Sequence, residues 1–194
     1  MLKMIGSHNS ATYLKEKKWW MTILRPWTKC QNKTLKEQYN EGVRYFDFRI
    51  KIDDTNIGYI PWICHNNVIY KERLFKALEE IDYQDVSIRI LLDYREKPEN
   101  ADRLSELFKE IIKFISKNFD LKLDNAITFW DWKEYIPSSF VLQEKHYSVD
   151  AKHWYEWILG PYLFNKLKEK NYSNYFDELK DKKAEHIVIL KDFV

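Results

Sequence analysis

Ionisable side chains that can do acid–base chemistry recur in this sequence just after short apolar stretches. They are His8, Asp47 with Arg49, His65, Asp93 with Arg95, and Asp192. Two histidines with an arginine between them are typical of phosphodiester cleavage, in which one imidazole takes a proton and the other gives one. Asp47 and Arg49 are two residues apart, so on a strand they share a side, where the carboxylate can hold the guanidinium for a phosphate. Hydrogen-bonded structural histidines and a plain ion pair remain the alternative.

The elements that must position these residues alternate between strand and helix. Thr34-Leu35-Lys36-Glu37 is a capping box, Gly42 ends the helix it opens, and apolar residues recur at helical spacing in 74–81, after Asn100 and in 154–170. Apolar and β-branched runs predict strands at 2–5, 43–50, 59–64, 86–94, 126–129, 140–143 and 186–190. This order predicts a parallel α/β sheet, and about seven strands favour an irregular or incompletely closed barrel.

Composition limits the class of protein. The chain has 194 residues, 45% of them hydrophobic, with 32 basic and 30 acidic residues and a net charge of +2. That length indicates one domain, and the balanced charge does not indicate a nucleic-acid partner. Cys30 and Cys64 lack the spacing of a zinc site or a disulfide framework, so we expect two free thiols.

Three motifs, in matching order and spacing, resemble the X-domain of phosphatidylinositol-specific phospholipase C. Gly6-Ser7-His8-Asn9-Ser10 resembles the first catalytic-histidine motif, residues 38–49 resemble the helix-glycine-strand segment, and Ile63-Cys64-His65 falls where the second histidine lies. Residues 90–96, 140–147 and 187–193 resemble later strands more weakly. The resemblance implies a single domain over residues 1–194 with a distorted TIM-like (β/α) barrel, either closed or incompletely closed.

The resemblance also implies a role for each matching side chain. His8 is the expected general base for the inositol 2-hydroxyl, and Asp192 is expected to orient it. His65 is the expected acid that protonates the departing diacylglycerol oxygen. Arg49, held by Asp47, is expected to stabilise charge on the phosphate. The implied products are inositol 1,2-cyclic phosphate and diacylglycerol.

Metal dependence divides this family, and the deciding positions here point to the bacterial, metal-independent type. Calcium-dependent members carry acidic ligands where this chain has Arg49 and Arg95, and a guanidinium supplies the positive charge itself. We therefore expect no metal and no cofactor. Asn9 resembles the residue of the calcium type, where the bacterial form has aspartate, so calcium dependence remains the alternative.

Contacts to the lipid are also implied. Arg95 and Lys145 resemble basic contacts to inositol and phosphate, Asp150 resembles a hydroxyl acceptor, and Asn9 is assigned to the same substrate-binding set. Each of the three charged residues has an alternative role as a solvated surface charge. After His65 stands Asn66, where the family usually has glycine, which predicts a different loop shape.

A tryptophan-rich segment follows the first motif. Trp19, Trp20 and Trp27, with the neighbouring basic residues Lys15, Lys17, Lys18 and Arg25, suit a headgroup boundary, so we expect peripheral membrane contact. The alternative is that one or two of these tryptophans are core residues.

Two other functions remain open: a catalytically silent phosphoinositide-binding or membrane-binding barrel, and a metal-dependent glycerophosphodiesterase-like enzyme. Asn9-Ser10 after His8 argues against the second, in which Arg-Gly is typical. We expect a monomer whose partner is a phosphatidylinositol-type lipid. No signal peptide is visible, so the location is cytoplasmic, or the form is secreted or injected without its leader.

Overall fold

The computed structural model describes residues 2–56, 58–81, 85–94, 98–119, 122–129, 133–134, 140–145 and 186–191, and the described side chains lie within residues 5–119. The strands are β1 Leu2–Ser7, β2 Tyr45–Thr55, β3 Gly58–His65, β4 Val68–Arg73, β5 Ser87–Tyr94, β6 Lys122–Phe129, β7 Lys133–Glu134, β8 Phe140–Lys145 and β9 His186–Lys191. The helices are a 3-10 helix Trp19–Leu24, α1 Arg25–Thr28, α2 Leu35–Asn40, α3 Leu74–Glu79 and α4 Ala101–Asn118. No helix within the described ranges is long and apolar enough to cross a membrane.

The described strands form one mixed sheet that is not closed. Its order is β7-β6-β5-β2-β1-β9-β8, and all neighbours from β6 to β8 are parallel. Strand β7 is antiparallel to β6 at one end of this path. The expected α/β class with parallel strands is therefore confirmed, while complete closure is not seen among these strands. The single-domain expectation remains a prediction.

The structure differs from the predicted strand order at β3 and β4. Strand β3 was expected to continue the alternation of strand and helix, but it pairs with β2 antiparallel, and β4, which the pattern does not predict, pairs with β3 antiparallel. A parallel neighbour needs a crossover connection, whereas only a short turn joins β2 to β3. Gly58, the first residue of β3, has a φ of +136°, which glycine adopts at little cost.

Alternation along the strands separates the hydrophobic core from the site. Phe46, Phe48 and Ile50 of β2 belong to the same buried cluster as the apolar stripe of α4. The intervening residues, Asp47 and Arg49, therefore point to the opposite side of the sheet. Strand β5 repeats this pattern, with Ile88, Ile90 and Leu92 in the core and Arg89 and Asp93 on the polar side.

Local sequence explains the helix that precedes β2. The Thr34 side chain accepts from the Glu37 backbone N–H, and Glu37 reaches back to the Thr34 backbone, which confirms the predicted capping box. Gly42 follows with a φ of +94° and ends the turn, as predicted. The helices predicted at 74–81 and after Asn100 correspond to α3 and α4, and the helix predicted at 154–170 lies outside the described residues.

Candidate active site

The loop after β1 is fixed against β2 by hydrogen bonds. Ser10 N donates to the Asp47 carbonyl at 2.8 Å, and Asp47 N donates to Ser10 Oγ at 2.8 Å. Gln31 Nε2 donates to the His8 carbonyl at 3.0 Å. Asn9 takes a φ of +45°, a left-handed conformation that asparagine tolerates better than most residues. These contacts place His8 and Asn9, each only 2% exposed, beside the polar side of β2.

Asp47 is the buried anion at the centre of the site. Its Oδ2 accepts from Asn9 N at 3.1 Å and lies 4.0 Å from both His8 Nε2 and Arg49 Nε. Its Oδ1 lies 3.7 Å from Nη1 of Arg89. A fully buried carboxylate is stable only with such partners, so Asp47 is the counter-charge of two guanidinium groups.

Arg49 contacts the first histidine directly. Its Nη2 lies 3.0 Å from His8 Nε2, and Asn9 Nδ2 lies 2.9 Å from the same nitrogen. An arginine side chain only donates, so this contact requires Nε2 to accept. In this arrangement Nε2 of His8 presents its lone pair, and an imidazole nitrogen with a lone pair can take a proton.

His65, at the end of β3, is held by a contact to its Nδ1 nitrogen, whereas His8 is contacted at Nε2. Its Nδ1 lies 2.7 Å from the carbonyl oxygen of Thr28, the last residue of α1. A carbonyl only accepts, so Nδ1 carries a proton and Nε2 is the nitrogen that gains or loses one. Tyr70 O–H donates to the same Thr28 carbonyl at 3.1 Å, which holds this acceptor in place.

The two imidazoles lie close enough to act on one small group. Their ring centroids are 6.0 Å apart, with the rings nearly perpendicular. A proton acceptor and a titratable imidazole, with a guanidinium between Asp47 and His8, form an arrangement that can transfer protons on either side of a bound phosphodiester.

The loop after His65 contains a residue in the left-handed backbone region, which glycine adopts most easily. Asn66 has a φ of +54°, and its backbone N–H donates to Asp93 Oδ2 at 3.3 Å. The predicted difference in loop shape at Asn66 stays a prediction. Burial, followed by the charge of Asp93, raises the pKa of the adjacent Cys64 thiol well above its ordinary value, so Cys64 stays protonated.

The residues around Asp47 do not fit a calcium ion. Calcium takes about six to eight oxygen ligands, whereas two guanidinium groups approach the Asp47 carboxylate. Among the described residues, no three His, Cys, Asp or Glu side chains converge on a cation site. The buried Asn9 Oδ1 accepts no hydrogen bond from the described part of the chain and offers only one oxygen.

Four of the five predicted catalytic residues are brought together: His8, Asp47, Arg49 and His65. Asp192, Arg95 and Asp150 lie outside the described residues, and the side chain of Lys145, on β8, is not described. The last residue of β9, Lys191, pairs with Ser7, directly before His8.

Two residues at the site were missed by the sequence reasoning. Arg89 is a single charge within the apolar run of β5, and its alternation with core residues was a usable signal. Cys30, whose Sγ lies 3.6 Å from His65 Nδ1 and from Asn9 Nδ2, gave no sequence signal because its position depends on the loop after α1.

The tryptophans of the 3-10 helix and α1 are exposed rather than buried. Trp19 is 84% exposed, Trp20 44% and Trp27 38%, and Ile23 between them is 69% exposed. Met21 is the buried member of this segment. All three are exposed, so the alternative that one or two of these tryptophans are core residues is wrong.

Comparison with known proteins supports the fold. No protein-family model matches the chain, and no curated protein matches it by sequence. The solved structure of phosphatidylinositol-specific phospholipase C from Listeria monocytogenes matches over 99% of this chain and 88% of its own, with a TM-score of 0.56 and 14% identity. This likeness shows the fold.

The phosphatidylinositol-specific phospholipase C of S. aureus matches over 65% of this chain with a TM-score of 0.47 and 19% identity. The match covers 47% of that enzyme. The chain therefore spans about half the length of the S. aureus protein.

Proposed function

We propose that this protein cleaves the glycerophosphodiester bond of phosphatidylinositol, or of a related inositol lipid, by intramolecular transesterification without a metal. The observation that carries the proposal is the Arg49 guanidinium, which lies 3.0 Å from His8 Nε2, with the His65 ring 6.0 Å from the His8 ring. The fold shared with the Listeria phospholipase and the family resemblance of the motifs around His8, Arg49 and His65 support the same reaction.

In this reaction His8 and His65 act in sequence on one phosphodiester. Nε2 of His8 takes the proton of the inositol 2-hydroxyl, and that oxygen attacks phosphorus in the same molecule. The bond from phosphorus to the glycerol oxygen breaks, and Nε2–H of protonated His65 gives its proton to that oxygen. The products are inositol 1,2-cyclic phosphate and diacylglycerol.

Arg49 does the work that a metal ion would do. As the substrate enters, Nη2 exchanges its contact with His8 Nε2 for a non-bridging phosphate oxygen, which leaves the lone pair free to accept the proton. The guanidinium can bind two oxygens at once, and it stabilises them most when charge is greatest, at the pentacovalent state. Asp47 keeps the guanidinium aimed throughout the reaction.

The remaining predicted contacts complete this proposal. Asp192 is proposed to orient His8, while Asn9, Arg95, Lys145 and Asp150 are proposed to contact the headgroup. The exposed tryptophans Trp19, Trp20 and Trp27 are proposed to insert at the membrane surface, where indole rings with basic neighbours are favourable.

A headgroup panel tests the proposal. Purified protein is incubated in EDTA with vesicles of phosphatidylinositol, phosphatidylcholine or phosphatidylglycerol, and diacylglycerol is measured. We expect release from phosphatidylinositol only, with none from the His8→Ala variant. Release that requires added calcium would favour a metal-dependent enzyme instead. Binding to phosphatidylinositol vesicles without release under either condition would favour a silent binding barrel.

A further inference from the structure

Two cations approach the indole of Trp62, on the face of β3. Lys17 Nζ lies 3.6 Å from the ring centroid, and the guanidinium carbon of Arg73 lies 5.5 Å from it. Both distances are within the range of a cation–π interaction. The Trp62 ring therefore holds two positive side chains close together.

Backbone pairing extends this cluster across three neighbouring segments. Trp62 is the strand partner of Lys51 on β2 and of Arg73 on β4, so these three side chains share a side. On the other edge of β4, Lys17 N donates to the Ile69 carbonyl and Lys71 N donates to the Lys15 carbonyl. By alternation, Lys15 lies on the side of Lys17, and Lys71 on the side of Arg73. We call this surface the basic face; it comprises Lys15, Lys17, Lys51, Trp62, Lys71 and Arg73.

Among the described residues, no acidic side chain forms an ion pair with the basic face. Glu16 stands between Lys15 and Lys17, but it is buried and pairs with Arg25 at 3.0 Å. Glu72 pairs with Lys76, and the nearby Asp53 of β2 is exposed. Clustered like charges repel one another, so an anion bound at this face would stabilise the arrangement.

The indole of Trp62 gives a second reason to expect a ligand at the basic face. Its Nε1 is a buried donor with no hydrogen-bond acceptor among the described residues. The face is also continuous with the exposed tryptophan segment, because Lys17 and Lys18 lead directly into Trp19, and Lys18 Nζ lies 6.0 Å from the Trp20 ring centroid. Basic residues beside exposed indoles suit a surface that is both anionic and apolar.

We propose that the basic face is an electrostatic docking surface for the headgroups of anionic phospholipids. The cations are spread over β2, β4 and the segment before the 3-10 helix, which suits a lipid surface carrying many phosphates better than a single small anion. The inference rests on the membrane contact in the proposed function but not on the catalytic step. It names the kind of membrane that the protein selects, through residues other than the catalytic ones; Lys51 adjoins the site, because it shares the polar side of β2 with Asp47 and Arg49.

Vesicle sedimentation tests this surface without any measurement of catalysis. The double variant Lys17→Gln/Arg73→Gln removes two charges, and Lys17→Arg/Arg73→Lys preserves them. Lys109→Gln/Lys113→Gln, exposed on α4, is the matched control for net charge. Each protein is mixed with vesicles of phosphatidylcholine alone or with one-third phosphatidylglycerol, at low and high salt, and its thermal unfolding is recorded to confirm folding.

We expect the first double variant to lose about 30-fold in affinity for anionic vesicles at low salt, since each basic residue near such a surface contributes about fivefold. Its binding to phosphatidylcholine should be unchanged, and the charge-preserving and α4 variants should bind like the parent protein. Equal loss in the α4 variant, or equal binding to both vesicle types, would overturn the proposal. Displacement from vesicles by millimolar glycerol phosphate would also overturn it, by making the face a small-anion site.

Because the readout is binding, a protein that fails to cleave phosphatidylinositol can still pass this test. The opposite outcome is also distinguishable. If the Lys17→Gln/Arg73→Gln variant cleaves a soluble inositol phosphodiester normally and still binds anionic vesicles like the parent, the docking role of the basic face is rejected and the proposed catalytic function is not.

Discussion

Arg49 is the residue on which the metal-free account depends most. Lysine at this position keeps one positive charge but cannot bind two oxygens in the fork geometry of a guanidinium. We predict that Arg49→Lys lowers the rate of cleavage of a soluble inositol phosphodiester by about 100-fold or more, with EDTA leaving the parent rate unchanged. Arg103→Lys, on the exposed side of α4, is the control and should be neutral. A parent enzyme that needs calcium would contradict this role for Arg49.

His65 is needed only where the leaving oxygen must be protonated. A substrate with a nitrophenol leaving group departs without an acid, so we predict that His65→Ala loses activity on phosphatidylinositol far more than on the nitrophenyl ester. His8→Ala should lose activity on both, because every substrate needs the base. Initial rates on the two substrates measure this. Equal losses on both substrates in His65→Ala would remove the assignment of His65 as the acid.

At the scale of elements, Tyr94 joins the end of β5 to β2. Its hydroxyl donates to the Ile52 carbonyl and accepts from Ile52 N, both at 3.1 Å. We predict that Tyr94→Phe lowers the free energy of unfolding by about 1–2 kcal/mol, since it leaves two backbone groups without this partner. Urea unfolding at neutral pH measures the change.

The same residue gives a pH prediction. Burial raises the pKa of Tyr94 from 10.0 to about 12. A raised folded-state pKa stabilises the protein fully below about pH 10, and that stabilisation is lost as the pH rises through about 12. The difference in free energy of unfolding between the parent and Tyr94→Phe should therefore decrease between about pH 10 and 12. A difference that stays constant over this range would contradict the raised pKa of the Tyr94 hydroxyl.

Some of the strands and helices could be predicted from the sequence, and others could not. Strands β1, β2 and β5 and helix α4 were predictable because their apolar residues follow strand or helix periods. The antiparallel pairing of β3 and β4 was not predictable. The partner of a strand depends on the length of the connection between them, and the Lys and Arg residues in β4 hide the alternation of apolar and polar residues that marks a strand. At the site, the grouping of His8 with Asp47 and Arg49 was predictable because β1 and β2 are parallel neighbours. His65 joins them for a reason that the sequence did not show, since β3 runs antiparallel to β2 and its last residues, beyond the Ile50–Ile63 pair, run back toward Arg49. Arg89 and Cys30 were missed because tertiary packing places them there.

At the scale of the whole molecule, the exposed tryptophan segment should determine membrane affinity. We predict that Trp19→Ala/Trp20→Ala weakens binding to phosphatidylinositol-containing vesicles by about tenfold or more, since two exposed indoles no longer leave water on binding. Cleavage of a soluble substrate should be unchanged. Phe114→Ala, which removes another half-exposed aromatic side chain, is the control. Equal loss on soluble and vesicle substrates would instead make the two tryptophans structural.

The most direct test of the central claim is phosphorus NMR of the protein incubated with phosphatidylinositol vesicles in EDTA, recorded beside the His8→Ala variant. We expect the signal of a five-membered cyclic phosphodiester with the parent protein and no such signal with the variant. Direct appearance of inositol 1-phosphate without the cyclic intermediate, or a cyclic signal that persists in His8→Ala, would contradict intramolecular transfer started by His8.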